Sequence, residues 1–365
     1  MEKTCSSRER EHGGIVDMHC DTLDRLESFP VQENERNTSE SLRENQGQLD
    51  LLRMRQSGYL LQNFAIYVDL AKYPAGWERA MQLASRFQKE MREHGDLIGQ
   101  VRNLRDMEEN QKAGRMSAML TVEEGGICEG RIERLQELYD LGVRMMTLTW
   151  NYPNELGSPA SPKVIALGNE SLAACKLPLA GEGLEGEQSN RVEIPGGQER
   201  REKGLTPLGI EFVREMERLG ILADISHLSD EGAWDVLKHT RKPIVASHSN
   251  ARTICGHPRN LPDELIRAIG ERGGCIGLNY YDAFVGGKPE EILEGLARHA
   301  RHIVKVGGMA CLGLGSDFDG IRQGAVLKGA ESMHLLWEGL AKAGFTQRQL
   351  DGIFSKNILR VYREL

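Results

Sequence analysis

Five short stretches of this 365-residue sequence carry side chains that could hold a cation or move a proton. His19-Cys20-Asp21 spaces an imidazole and a carboxylate so that both face one side of an extended segment while Cys20 points away. Glu123-Glu124-Gly125-Gly126 puts carboxylates before two glycines that would let a ligand approach the backbone closely. Ser226-His227 and Ser247-His248 repeat one dipeptide, and Ser316-Asp317-Phe318-Asp319-Gly320 supplies two further acids. Taken singly, each has a bland explanation. A strand-end histidine is commonly a hydrogen-bonded filler, HxD triplets occur anywhere, and loop acids are common. What matters is whether the chain brings them together.

The elements around them say that it does. Residues 221–225 and 243–246 are short apolar runs flanking a helix-like stretch, a βαβ pattern in which each strand ends on Ser-His. Parallel strands joined by one helix place both C-terminal ends on the same sheet edge, so the two imidazoles share one space. Further strands are expected at 14–18, 60–68, 117–122, 144–149, 274–279 and 310–315. Helical spacing occupies 49–55, 76–98, 101–112, 131–141, 206–219, 263–272, 289–306, 333–343 and 347–363. Eight strands alternating with helices predict an α/β fold, a (β/α)8 TIM-type barrel, as a single domain over 1–365. Residues 28–46 read as a loop over the strand ends. Residues 153–203, rich in Pro, Gly, Ser and Glu, read as a long irregular insertion or lid after strand four. They are not a linker, because the rhythm resumes at once with Thr206-Pro207 opening a helix.

Composition narrows the partners. A net charge of −8 and 27% charged residues describe an ordinary soluble protein and disfavour nucleic acid or an anionic membrane. Seven scattered cysteines without a CxxC pair argue against a disulfide framework or a thiolate zinc module. No signal-like apolar segment or membrane-length run is present, so the expected location is cytoplasmic.

In a barrel, strand ends one, three, five, six and eight deliver His19 and Asp21, Glu124, His227, His248 and Asp317 to the C-terminal face, where barrel enzymes keep their chemistry. Imidazole and carboxylate without thiolate suit Zn²⁺, with Mn²⁺, Co²⁺ or Fe²⁺ as alternatives. Five ligands exceed what one open catalytic zinc takes and match two ions sharing a carboxylate. Glu124 is the expected bridge, with His19 and Asp21 on one ion and His227 and His248 on the other. Such a pair would bring the pKa of a shared water from ~15.7 toward neutrality, making a nucleophile for a carbonyl or phosphoryl centre. Asp317 is the expected general base and acid. Asp319 competes for that role, and Asp317 is favoured as the first acid after the strand.

The segments carrying these residues resemble the membrane (renal) dipeptidase family. They are His19-x-Asp21, Val122-Glu-Glu-Gly-Gly126, LGVRMMTLTWN (141–151), GLTPLG (204–209), LADISHLSD (222–230), SHSNAR (247–252), RNLPDEL (259–265) and GLGSDFDG (313–320). They occur in family order from about residue 13 onward. The resemblance implies a zinc peptidase on an amidohydrolase-like barrel, with two Zn²⁺ bridged by Glu124 and a dipeptide substrate. It also implies that Arg259 takes the substrate carboxylate, a role that a bidentate guanidinium fits. Two features depart from the pattern. Trp150 stands where animal members carry a histidine that helps hold the oxyanion, and an indole N–H can donate one hydrogen bond but carries no charge. The 153–203 segment is also longer than expected. The secretion signal and lipid anchor of the animal proteins are not seen.

The expected function is therefore a metallo-dipeptidase acting on dipeptides with a free C-terminal carboxylate, with a D-residue at that position as an open option. The same metal set could instead deacylate N-acyl amino acids or cleave phosphodiesters, although the acidic balance weighs against a nuclease. A catalytically silent binding barrel is the third reading. A homodimer is compatible with the sequence.

Overall fold

The computed structural model describes residues 13–28, 40–160 and 204–365. Nine parallel strands form the sheet: β1 Ile15–Asp17, β2 Tyr59–Tyr67, β3 Ile98–Val101, β4 Met116–Glu123, β5 Val143–Thr147, β6 Leu222–Asp224, β7 Val245–Ala246, β8 Cys275–Leu278 and β9 Leu312–Leu314. They follow the order β2-β1-β9-β8-β7-β6-β5-β4-β3, and β2 also pairs with β4 along its length. That pairing closes eight strands into a ring and leaves β3 outside it, bonded to β4 alone. The eight ring strands are those expected, so the fold is a (β/α)8 barrel.

The element that the periodicity missed is β3. Helical spacing predicted helices over 76–98 and 101–112, but the first ends at Glu93 with His94 as its C-cap, and Ile98–Val101 runs extended. The second starts only at Leu104, where the Asn103 side chain accepts from the Asp106 N–H. Four residues interrupted by Gly99 carry too little alternation to declare a strand. The last expected helix, 347–363, is likewise divided by a π-turn over Gly352–Lys356. Residues 29–39 of the expected loop and 161–203 of the expected insertion lie outside the described residues.

Two apolar layers hold the barrel. The outer one fills the space between strands and helices, as with Phe64, Leu120, Phe212 and Leu296. The inner one fills the lumen with Val16, Met18, Leu61, Met119, Met145, Leu222, Val245 and Cys275. Ile358, Val361 and Tyr362 join it from the opposite end to the strand termini. Asn357 bonds to the Met309 and Leu312 carbonyls ahead of β9, and Arg360 to those of Gly273 and Gly274 ahead of β8, which sets this helix against the barrel floor. There the Tyr362 hydroxyl pairs with Asn63. Cys20, Cys128, Cys255, Cys275 and Cys311 are buried and form no disulfide among the described residues, filling space as small apolar side chains do.

Candidate metal and substrate site

At the C-terminal mouth, Tyr67, Glu123, Thr147 and Asp224 lie in register across β2, β4, β5 and β6. The chain then turns sharply, and the turning residues are not glycines. Glu124, His227, Asp317 and Asp319 all adopt positive φ, between 63° and 94°. A side chain in the left-handed region is a strained choice that persists where the surroundings over-determine it, and such residues gather at functional sites.

Buried carboxylates and imidazoles meet in this mouth. His19 Nε2 lies 3.4 Å from Asp21 Oδ2, 3.3 Å from Glu123 Oε2 and 3.9 Å from Asp317 Oδ1. Glu123 Oε1 lies 2.9 Å from His227 Nε2 and 3.5 Å from His248 Nε2. The rings of His19 and His248 stack with centroids 4.0 Å apart. His19, Asp21, His227, His248 and Asp317, anticipated from five distant stretches, are thus neighbours.

Glu124 is not among them, and here the expected bridge needs correction. Its carboxylate accepts from Gly126 N at 2.7 Å, Trp150 N at 2.9 Å and Asn154 Nδ2 at 2.5 Å, which ties together the loops after β4 and β5. Burial raises its pKa to about 7 against the pull of those donors. Glu123 occupies the position assigned to it. The parity of β4 carries the signal that identifies the right residue. Met119 faces the lumen, so Thr121 and Glu123 follow it on the inner face, whereas Glu124 shares parity with the outward Leu120 and Val122.

The donor set suits a cation. His227 Nδ1 lies 3.0 Å from Asn151 Oδ1, which can only accept, so this nitrogen carries the proton and Nε2 presents a lone pair. The Ser247 hydroxyl donates to Asp224 Oδ2, so it accepts from His248 Nδ1 at 2.7 Å. His248 Nε2 therefore presents a lone pair as well. Burial, with Arg259 and His19 nearby, lowers the pKa of both imidazoles, of His227 to about 4, which keeps them neutral. The two Nε2 atoms nonetheless face each other at 2.9 Å, with a carboxylate oxygen beside them. Three acceptors without a shared proton call for a positive charge. His19 shows the same demand: burial opposes its protonation, yet Glu123 and Asp21 push its pKa well above the usual value. Asp21 Oδ1 and His19 Nε2 are buried with no hydrogen-bond partner among the described residues. Asp224 and Ser247 fix the tautomer of His248 and Asn151 that of His227, roles that the sequence reading did not assign to them.

Asp317 and Asp319 separate cleanly. Asp319 accepts from Thr22 Oγ1 at 2.6 Å and Gln48 N at 2.7 Å, and so serves the loop. Asp317 faces the cluster, and its Oδ2 accepts from Asn279 Nδ2 at 2.9 Å. Burial raises its pKa to about 6 despite His19 beside it. Asn279, at the end of β8, is a further site neighbour that no motif announced.

Arg259, in the loop after β7, is 5% exposed, and its Nε and Nη2 find no hydrogen-bond partner among the described residues. Its guanidinium lies 5.4 Å from the Phe284 ring centroid, and burial lowers its pKa to about 10. A buried guanidinium without a hydrogen-bonded carboxylate is costly, and its donor geometry can take an anion bidentately. Trp150 presents its indole to the same mouth, 6.3 Å from the His227 ring.

This barrel, with its mouth of imidazoles and carboxylates, has known counterparts. The sequence profile of the membrane dipeptidase family, peptidase family M19, matches residues 8–174 and 188–365, and the chain belongs to that family. An uncharacterized dipeptidase of Schizosaccharomyces pombe is 32% identical over 257 residues, which are 69% of this chain and 53% of that protein. An uncharacterized Klebsiella pneumoniae protein from the pqqA 5′ region is 30% identical over 264 residues, 71% of this chain and 86% of that one. The chain thus matches about half the length of the yeast relative. Among solved structures, a Rhodobacter sphaeroides metallopeptidase liganded with a phosphinate mimic of L-Ala-D-Ala shares the fold at TM-score 0.77 and 23% identity. It covers 97% of this chain and 99% of its own. A dipeptidase of family M19 does so at TM-score 0.76 and 24% identity, covering 96% and 98%. Membership in a metallopeptidase family implies a metal, and the candidate ligands include His19, Glu123 and His248. Among the described residues no helix is long and apolar enough to cross a membrane.

Proposed function

We propose that this chain is a metal-dependent dipeptidase that holds two divalent cations, zinc first among the candidates, and cleaves dipeptides with a free C-terminal carboxylate. The observation that carries the reading is one buried mouth in which His19, Asp21, Glu123, His227 and His248 converge, together with a buried Arg259 whose Nε and Nη2 have no hydrogen-bond partner among the described residues. Glu123 would be shared between the ions, with His19 and Asp21 on one side and His227 and His248 on the other, since each of its oxygens faces a different group. Once bound, the cations supply Lewis acidity and let water ionise near neutral pH.

The chain's own residues do the rest. Arg259 pairs with the substrate carboxylate and thereby places the scissile bond over the cluster. Asp317, held by Asn279, takes the proton of the attacking water and returns it to the departing amine. The fixed tautomers of His227 and His248 keep their lone pairs on the centre. The phosphinate mimic of L-Ala-D-Ala on the Rhodobacter relative supports including D-residues at the C-terminal position among the substrates tried.

The test is removal and return of metal. Chelation should abolish hydrolysis of L-L and L-D dipeptides, and Zn²⁺, Mn²⁺, Co²⁺ or Fe²⁺ added singly should restore it, with saturation near two ions per chain by metal analysis. Full activity in a metal-free sample would overturn the proposal.

A further inference from the structure

Three aromatic side chains stand over the metal-ligand cluster. Tyr67 ends β2 in register with Glu123, and its ring meets Trp150 edge to face with centroids 5.0 Å apart. Trp150 in turn meets Tyr152 edge to face at 5.7 Å and lies 6.3 Å from His227. All three are partly exposed, so they present ring surface to the mouth and are not sealed in the core. Burial first, then the charges of Glu123 and Asp21, hold the Tyr67 phenol protonated, so the wall carries no charge of its own.

The barrel order fixes where this wall stands relative to Arg259. From β7, which leads into the Arg259 loop, it is four strands to β2 by way of β8, β9 and β1, and four by way of β6, β5 and β4. Tyr67 therefore ends the strand diametrically opposite β7, whose following loop carries Arg259. Trp150, after β5, reaches over the end of β4 to join it. A dipeptide whose carboxylate is held by Arg259 and whose peptide bond lies over the central cluster directs its N-terminal residue to this side.

From this placement we infer that Tyr67, Trp150 and Tyr152 form the pocket for the side chain of the N-terminal residue, and that the preferred substrates carry an aromatic or large aliphatic side chain there. The inference rests on the dipeptidase reading. Aromatic faces offer an offset or edge-on partner to a ring and an apolar surface to a branched chain, and they give nothing comparable to glycine or alanine. Trp150 supplies the largest of the three surfaces and is the specificity determinant.

The experiment compares kcat/KM of the metal-loaded protein on Phe-Ala, Leu-Ala, Ala-Ala and Gly-Ala, first with the natural sequence and then with Trp150→Ala and Tyr152→Ala. Phe-Ala and Leu-Ala should exceed Ala-Ala by about tenfold or more. Trp150→Ala should bring the Phe-Ala to Ala-Ala ratio toward one, with a smaller fall in Tyr152→Ala. If Trp150→Ala does not fold, the natural protein's ratio and Tyr152→Ala decide the matter. Turnover in which Ala-Ala equals or surpasses Phe-Ala, or a ratio untouched by Trp150→Ala, overturns the pocket and leaves the dipeptidase reading standing. Turnover of no dipeptide at all removes both.

Discussion

Glu123 turns both carboxylate oxygens toward imidazoles, whereas Glu124 spends its acceptor capacity on two backbone N–H groups and an amide. Removing one charge at each position should therefore have different consequences. Glu123→Gln should lose metal affinity by 10-fold or more, because an amide oxygen is a weak ligand for a divalent ion. Glu124→Gln should keep the metal and lower thermal stability by about 1 kcal/mol or more, through an N–H group now facing donors inside a buried loop. Metal content after dialysis and a melting curve separate the two, and equal metal loss in both would return Glu124 to the centre. Steady-state kinetics test the other roles. Arg259→Ala should mainly raise KM for substrates bearing a carboxylate, while Asp317→Asn should depress kcat by ~10²-fold or more. An unchanged KM would remove Arg259 from the site.

At the scale of the element, much of the frame was legible in the sequence, and the reasons for the gaps are physical. Apolar runs such as 221–225 and 274–279 declared strands because parallel barrel strands are buried on both faces, which removes polar alternation. The same loss of alternation hid the facing of individual side chains. Glu123 could be separated from Glu124 only by counting parity from a lumen residue, and the lumen is not visible until the barrel is built. Asn279, Asn151 and Asp224 act through pairings between distant loops that no local spacing encodes. The ends of β7, β8 and β9 also pack with unusual closeness. A Cβ on Gly315 would fall 1.7 Å from the Ser247 carbonyl oxygen, and one on Gly277 would fall 2.0 Å from the same atom. Gly315→Ala must therefore push apart the strand end that carries His248. We expect loss of several kcal/mol or failure to fold, read by denaturant unfolding against Gly344→Ala. Gly344 has positive φ, which Gly315 does not share, and among the described residues nothing lies within 4 Å of its missing side chain. A loss in Gly315→Ala no larger than that in Gly344→Ala would mean that crowding does not govern Gly315.

At the scale of the whole molecule, a buried histidine outside the carboxylate–imidazole cluster should make the fold acid-sensitive. His299 is fully buried; its Nδ1 accepts from Ala251 N at 3.1 Å and its Nε2 donates to the Val285 carbonyl at 3.0 Å. Burial lowers its pKa to about 4. The unfolded chain, with a histidine pKa of ~6.5, binds the proton first, so stability rises with pH between about 4 and 6.5. The contribution is complete above that window and is lost as pH falls through it, amounting to about 3 kcal/mol for a shift of this size. His299→Gln can keep one acceptor and one donor without titrating. Its unfolding free energy should fall less between pH 7 and pH 4.5 than that of the natural protein. Parallel curves would exclude His299 as the acid-labile group.

The inner layer of methionine and aliphatic side chains is drawn from strands spread between Val16 and Cys275, and it is sealed by Tyr362, which meets Asn63 across 299 residues of sequence. Ribosomes add about 5–20 residues each second, so the ring completed by β9 would wait roughly 2–10 s for this plug in every round of synthesis. A nascent chain in that interval offers its sticky interior to whatever is nearby. Chaperone supply, more than the ruggedness of the finished protein, should then limit how much of it a cell can make.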